Sequence, residues 1–88
     1  MKFKIEVTRS FEKGLKRLTL TEQKVVAEKL KLLQTNRFHP SLRTKRVKGF
    51  NNLFECSVNM SIRILWRYKE DKILILLDIG HHSMVDKL

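Results

Sequence analysis

Three groups of side chains in this sequence are suited to chemistry on a phosphodiester. A basic arm, Arg43, Lys45, Arg46 and Lys48, ends at Gly49. A lone arginine, Arg63, stands at the head of an alternating apolar run, and two histidines, His81 and His82, follow the run KILILLDIG. Cleaving RNA without a metal needs a base for the 2′-hydroxyl, cations for the charge that builds on the phosphorane, and an acid for the departing 5′-oxygen. Histidine titrates near neutral pH and can serve as acid or base, while Arg and Lys act as electrostatic clamps. Each general acid or base contributes about 10²- to 10⁴-fold. Glu55 could orient a cation or act as a base, although pairing with a neighbouring arginine is the simpler expectation. A metal site is not expected, because His81 and His82 are adjacent, point apart on an extended chain and lack a completing cluster. Phosphate-loop and dinucleotide glycine motifs are missing too, so no cofactor is expected.

The charge distribution supports a polyanionic partner. The 88 residues carry 19 Lys and Arg against nine Asp and Glu, a formal net charge of +10. Residues 29 to 69 hold ten of those bases (Lys29, Lys31, Arg37, Arg43, Lys45, Arg46, Lys48, Arg63, Arg67, Lys69) and a single acid, Glu55. A basic block of this kind suits nucleic acid, since each phosphate contact releases condensed counterions. A solubilising surface explains scattered lysines but not their confinement to one half of the chain. No apolar stretch is long enough to span a bilayer, and the alternating start MKFKIE lacks the apolar centre of a secretory signal. The single Cys56 lies in an apolar run, where buried packing is the expected role. One cysteine cannot form an internal disulfide, so the expected location is the cytoplasm.

The elements that must position these groups follow from periodicity. Residues 2 to 7 alternate, with Phe3, Ile5 and Val7 on one face, as a half-buried strand does. Phe11, Leu15 and Leu18 have helical spacing, with Ser10 the expected N-cap and Gly14 a weak point. Thr19-Leu20-Thr21-Glu22 matches a capping box and starts a second helix with Val26, Leu30 and Leu33 on one stripe. The hairpin of residues 10 to 35 is closed by Asn36 and Pro40, with a loop or helix-ending role for His39. The period then changes. Residues 43 to 48 form a short basic strand or arm, and strands follow over 53 to 58, 62 to 69 and 72 to 79. Glu70-Asp71 makes a turn, and Gly80 ends the last strand. In the 62 to 69 strand Ile62, Ile64, Trp66 and Tyr68 share one face, and Arg63, Leu65, Arg67 and Lys69 the other. The expected fold is one α+β domain over residues 1 to 88, β-α-α-β-β-β. Its mainly antiparallel twisted sheet would carry the helical hairpin on one face and cations on the other.

The stretches KRVKG (45 to 49), LFECSV (53 to 58), SIRILWRY (61 to 68) and ILLDIGHHS (75 to 83), taken in order after a helical hairpin, carry a family resemblance. Across nearly its whole length the chain resembles the RelE and YafQ group of toxins, in the RelE/ParE toxin–antitoxin superfamily. The resemblance implies a microbial RNase-like fold that enters the ribosomal A site, contacts 16S rRNA and cuts mRNA there. It also implies a co-expressed acidic antitoxin. By position, Arg63 matches the arginine that stabilises the reacting phosphate, and His82 the histidine acting as acid or base. Lys45 falls where the YafQ branch has a histidine and the RelE branch lysines, giving a catalytic set of Arg63, His82 and Lys45. Arg43, Arg46, Lys48, Arg67 and His81 are the matching RNA contacts. Two departures stand out. Asp86 occupies the place of a terminal aromatic, and Val58 and Ile62 replace a histidine and an aspartate of the YafQ branch. The ParE branch keeps the fold but inhibits DNA gyrase, so a ParE-like inhibitor is one alternative. A non-catalytic nucleic-acid-binding module is another.

Overall fold

The computed structural model describes residues 2–81. Its elements are β1 (Lys4–Val7), α1 (Arg9–Lys16), α2 (Leu20–Thr35), a 3₁₀ turn (Pro40–Leu42), β2 (Lys45–Arg46), β3 (Phe54–Ser57), β4 (Ile62–Glu70) and β5 (Ile73–His81). They build a five-stranded sheet in the order β1-β5-β4-β3-β2. The β1–β5 pair is parallel and the others are antiparallel. This is the expected α+β architecture, with the basic arm resolved as a two-residue edge strand paired to β3.

The helices form where the sequence signals place them, with one shift. Thr19 caps α2 through the full capping box, accepting from the Glu22 amide at 3.1 Å while Glu22 Oε1 accepts from the Thr19 amide at 2.8 Å. The cap of α1 is Thr8 rather than the expected Ser10, which already lies within the helix. Thr8 has extended backbone, and its Oγ1 accepts from the Phe11 amide at 3.1 Å. The same hydroxyl donates to the Leu77 carbonyl at 2.7 Å, so it joins the helix start to β5. Gly14 is a requirement of packing instead of a weak point. A Cβ there would sit 2.4 Å from the Ile79 carbonyl oxygen. Glycine alone lets α1 approach the strand that closely.

One face of the sheet carries the main core. Phe11, Val26 and Leu33 from the helices and Leu42 from the 3₁₀ turn meet Cys56, Ile62, Ile64, Trp66, Leu74, Leu76 and Ile79. Trp66 is fully buried and stacks on Phe54 with 4.6 Å between ring centroids. The expected alternation of β4 therefore holds: its even-numbered residues face the helices. In β5 the phase changes, because Leu65 pairs with Asp78 but Trp66 with Leu76. Leu77 is the extra residue of this bulge, and the Asp78 carboxylate accepts from the Ile79 amide at 2.9 Å beside it. The second face departs from the expected cationic floor. Its middle is a small apolar cluster of Val47, Leu53, Leu65 and Leu77. The chain from Val47 to Leu53 folds back over it, closed by a 2.8 Å bond from the Val47 amide to the Leu53 carbonyl. β5 continues through Gly80 to His81, which pairs with Ile62, so the glycine does not end the strand. The β4–β5 turn falls at Asp71-Lys72, one residue later than expected, with Lys72 in the left-handed region at φ 66°.

Candidate nucleic-acid interface

Two adjacent cross-strand rows on the second face gather the candidate groups. The first row runs Lys45–Glu55–Leu65–Asp78 and the second Ser57–Arg63–Gly80. Residues two apart on a strand are separated by roughly 7 Å, so the rows lie side by side. Lys45 Nζ is 3.2 Å from Glu55 Oε1, with the lysine side chain 71% and the glutamate 9% exposed. The partner of Glu55 is thus a lysine and not the expected arginine. Register decides this, since β2 presents Lys45 opposite Glu55. Arg63 is half-buried, and its Nη1 donates to the Asn59 carbonyl at 2.7 Å. That bond ties the guanidinium to the β3–β4 turn, while Gly80 beside it presents no side chain. Asn59 Oδ1 accepts from the Ser61 and Ile62 amides, both at 2.8 Å, which fixes the turn.

The remaining expected contacts are spread out. Arg67 shares the face with Arg63 but lies roughly 13 Å along the strand, given the rise per residue. Its neighbourhood is Ile75 and, one strand further, Glu6. Arg46 pairs with Phe54, whose ring packs into the main core, so it projects to the helix side of the edge strand. His81 pairs with Ile62 and by register belongs to the helix-bearing face, at the sheet end and exposed. Lys48 is exposed in the turn closed by the Phe50 amide on the Val47 carbonyl at 3.2 Å, with Gly49 at φ 91°. Arg43 follows the 3₁₀ turn in left-handed conformation at φ 49°. His82 and Asp86 lie outside the described residues.

Burial separates structural from available groups. Arg37, counted in the basic block, lies 3.6 Å over the Phe3 ring and donates through Nε to the Tyr68 hydroxyl at 3.2 Å. It is a packing cation and not a phosphate contact. Cys56 is 1% exposed, and burial pushes its thiol up to about 12, with the Glu55 charge adding to the effect. Such a thiol is no nucleophile at neutral pH. His39 has the expected loop role, its Nδ1 accepting from the Ser41 amide at 3.1 Å. Sequence reading missed the site contribution of Ser57, whose only signal was its strand parity with Glu55.

A family model described as ParE toxin of type II toxin-antitoxin system, parDE, matches residues 5–86. The chain belongs to the ParE toxin family. It is therefore a toxin of a type II toxin–antitoxin system, within the RelE/ParE superfamily. Solved structures of this superfamily share its fold. A copper-bound mutant toxin from Helicobacter pylori is 27% identical with a TM-score of 0.76, covering 93% of this chain and 97% of that one. The RelE–RelB complex of Pyrococcus horikoshii gives 14% identity and a TM-score of 0.79, covering 94% and 98%. The Escherichia coli DinJ–YafQ complex gives 16% and 0.77, covering 96% and 97%. No curated protein matches the chain by sequence. In this ParE-family toxin no helix among the described residues is long and apolar enough to cross a membrane.

Proposed function

We propose that this ParE-family toxin is a ribosome-dependent endoribonuclease that cuts mRNA without a metal. The observation that carries the reading is the juxtaposition of Arg63 with the Lys45–Glu55 pair on neighbouring rows of one sheet face. Arg63 stabilises the phosphorane, because a preorganised cation aimed at developing charge is worth about 10²- to 10³-fold. The Glu55 carboxylate takes the proton of the 2′-hydroxyl, and Lys45 holds that carboxylate while adding positive charge. O2′ bonds to phosphorus and the P–O5′ bond breaks. A proton from His82 then neutralises the leaving oxygen, giving a 2′,3′-cyclic phosphate and a 5′-hydroxyl. Arg43, Arg46, Lys48, Arg67 and His81 are the proposed wider contacts to mRNA and 16S rRNA. The test is primer extension on translating mRNA after induction of the wild type, Arg63→Ala and His82→Ala. Cutting undiminished in both variants refutes the assigned site.

A second reading rests on the family match itself, since the ParE branch acts on DNA gyrase. A supercoiling assay with purified protein separates the two. Inhibition of gyrase with no scission of mRNA establishes the second.

A net charge of +10 also favours an acidic antitoxin as partner. Relatives of this fold were solved as complexes with RelB and with DinJ. Opposite charge speeds such an encounter and suppresses wrong partners. Co-expression with a neighbouring acidic open reading frame should yield a stable complex, and no complex with any neighbouring product counts against it. Action on cytoplasmic ribosomes follows from the same reading.

A further inference from the structure

A cleft of ≈ 210 Å3 opens where α2, the 3₁₀ turn and the β3–β4 turn meet. Lys29 and Arg43 line it together with Ser41, Ser57, Val58, Asn59 and Met60, and no acidic residue is among its lining residues. The ion pairs among the described residues are Lys45–Glu55 and Lys69–Glu6, which leaves Lys29 and Arg43 without an acidic partner there. Asn59 spends its side-chain oxygen on the Ser61 and Ile62 amides, so its amide nitrogen is the end left to donate. The charged side chains among its lining residues are both cations, and the other polar ones are two serines and an asparagine. The cleft is smaller than the about 300–1,000 Å3 of a cofactor or drug-like site, and its size suits a sugar-phosphate unit. Arg43 reaches it from a left-handed backbone at φ 49° and ψ 43°, a conformation that disfavours non-glycine residues.

The cleft and the scissile-phosphate group share a wall. Ser57 lines the cleft and is the cross-strand partner of Arg63, and Asn59 both lines it and accepts from the Arg63 guanidinium. We propose that Lys29 and Arg43 form a second phosphate subsite, holding the RNA backbone next to the phosphate at Arg63. Met60, 79% exposed at the rim, offers a polarisable thioether to the adjoining base. This subsite rests on the RNA-cleaving reading, from which its test is separable.

The test measures binding of a short single-stranded 2′-O-methyl RNA, which cannot undergo 2′-hydroxyl attack, by the full chain over a series of salt concentrations. Each phosphate contact contributes about 0.7 to the slope of log affinity against log salt, so losing two lowers it by about 1.4. Lys29→Gln with Arg43→Asn should show that loss, and asparagine tolerates the left-handed backbone at 43. Lys13→Gln with Lys16→Gln, on the exposed side of α1, is the charge-matched control and should keep the slope. An unchanged slope in the first pair, an equal fall in the control, or no salt-dependent binding by the unaltered chain overturns the subsite. Absence of mRNA cutting by the unaltered chain would instead overturn the nuclease reading, while a reduced slope left the subsite standing.

Discussion

Lys45 and Glu55 face each other across the edge of the sheet at 3.2 Å, the lysine largely in water and the carboxylate largely out of it. The pair is therefore asymmetric: the glutamate needs the lysine more than the reverse. Glu55→Gln keeps shape and hydrogen-bonding capacity but cannot accept a proton, so cleavage should fall about 10²- to 10⁴-fold with the fold intact. Lys45→Ala leaves a desolvated charge unpaired and should also destabilise, by about 1 kcal/mol for so exposed a cation. Primer extension and thermal melting separate the two effects. Full activity in Glu55→Gln removes it as the base.

Arg63→Ala should reduce cleavage about 10²- to 10³-fold, the loss expected of one preorganised electrostatic donor. Its anchor is the Asn59 carbonyl, an acceptor in an exposed turn that water can satisfy, so the melting temperature should change little. A variant that unfolds would show Arg63 to be structural instead.

Gly14→Ala tests the contact of α1 with β5 at Ile79. Alanine gains about 1 kcal/mol in helix propensity over glycine. Against that, its methyl would lie 2.4 Å from a backbone oxygen that cannot rotate away. Overpacking of this kind costs about 1–3 kcal/mol, so the net effect should be destabilising. Denaturant unfolding that finds Gly14→Ala more stable than wild type would contradict the packing.

The buried thiol gives a pH signature. Burial raises Cys56 from an ordinary value of 9.0 to about 12 in the folded chain. A raised folded pKa means stability is fully present below the unfolded value and is lost as pH climbs through the folded one. Unfolding experiments between pH 9 and 12 should therefore show a steeper decline for wild type than for Cys56→Ala. At neutral pH a thiol reagent should label Cys56 only after denaturation. Parallel declines, or rapid labelling of the native chain, would rule this out.

What was legible in advance follows from how strongly each segment declares its period. The capping box at Thr19–Glu22 and the alternation of Ile62 to Tyr68 each admit one reading, and both stand in the fold. KILILLDI is apolar at nearly every position, so parity alone cannot reveal an extra residue, and the bulge at Leu77 was hidden. That bulge decides which side of the sheet His81 occupies, which a count from Gly80 cannot. Charge tallies have the same weakness. They score Arg37, lodged against Phe3 and Tyr68, the same as Arg43, which lines an open cleft. The Thr8 cap was missed because its second role, gripping the Leu77 carbonyl, depends on a strand 69 positions away.

The parallel pairing of β1 with β5 has a consequence for biosynthesis. β1 emerges first from the translating ribosome, yet its sheet partner is residues 73–76, and β4 has only its β3 side occupied until the same strand is made. Local helices and the β3–β4 hairpin can form early, but the central seam is non-local and closes late. A nascent chain thus has no finished sheet, and the seam can close only when β5 has cleared the exit tunnel and slid between its two neighbours.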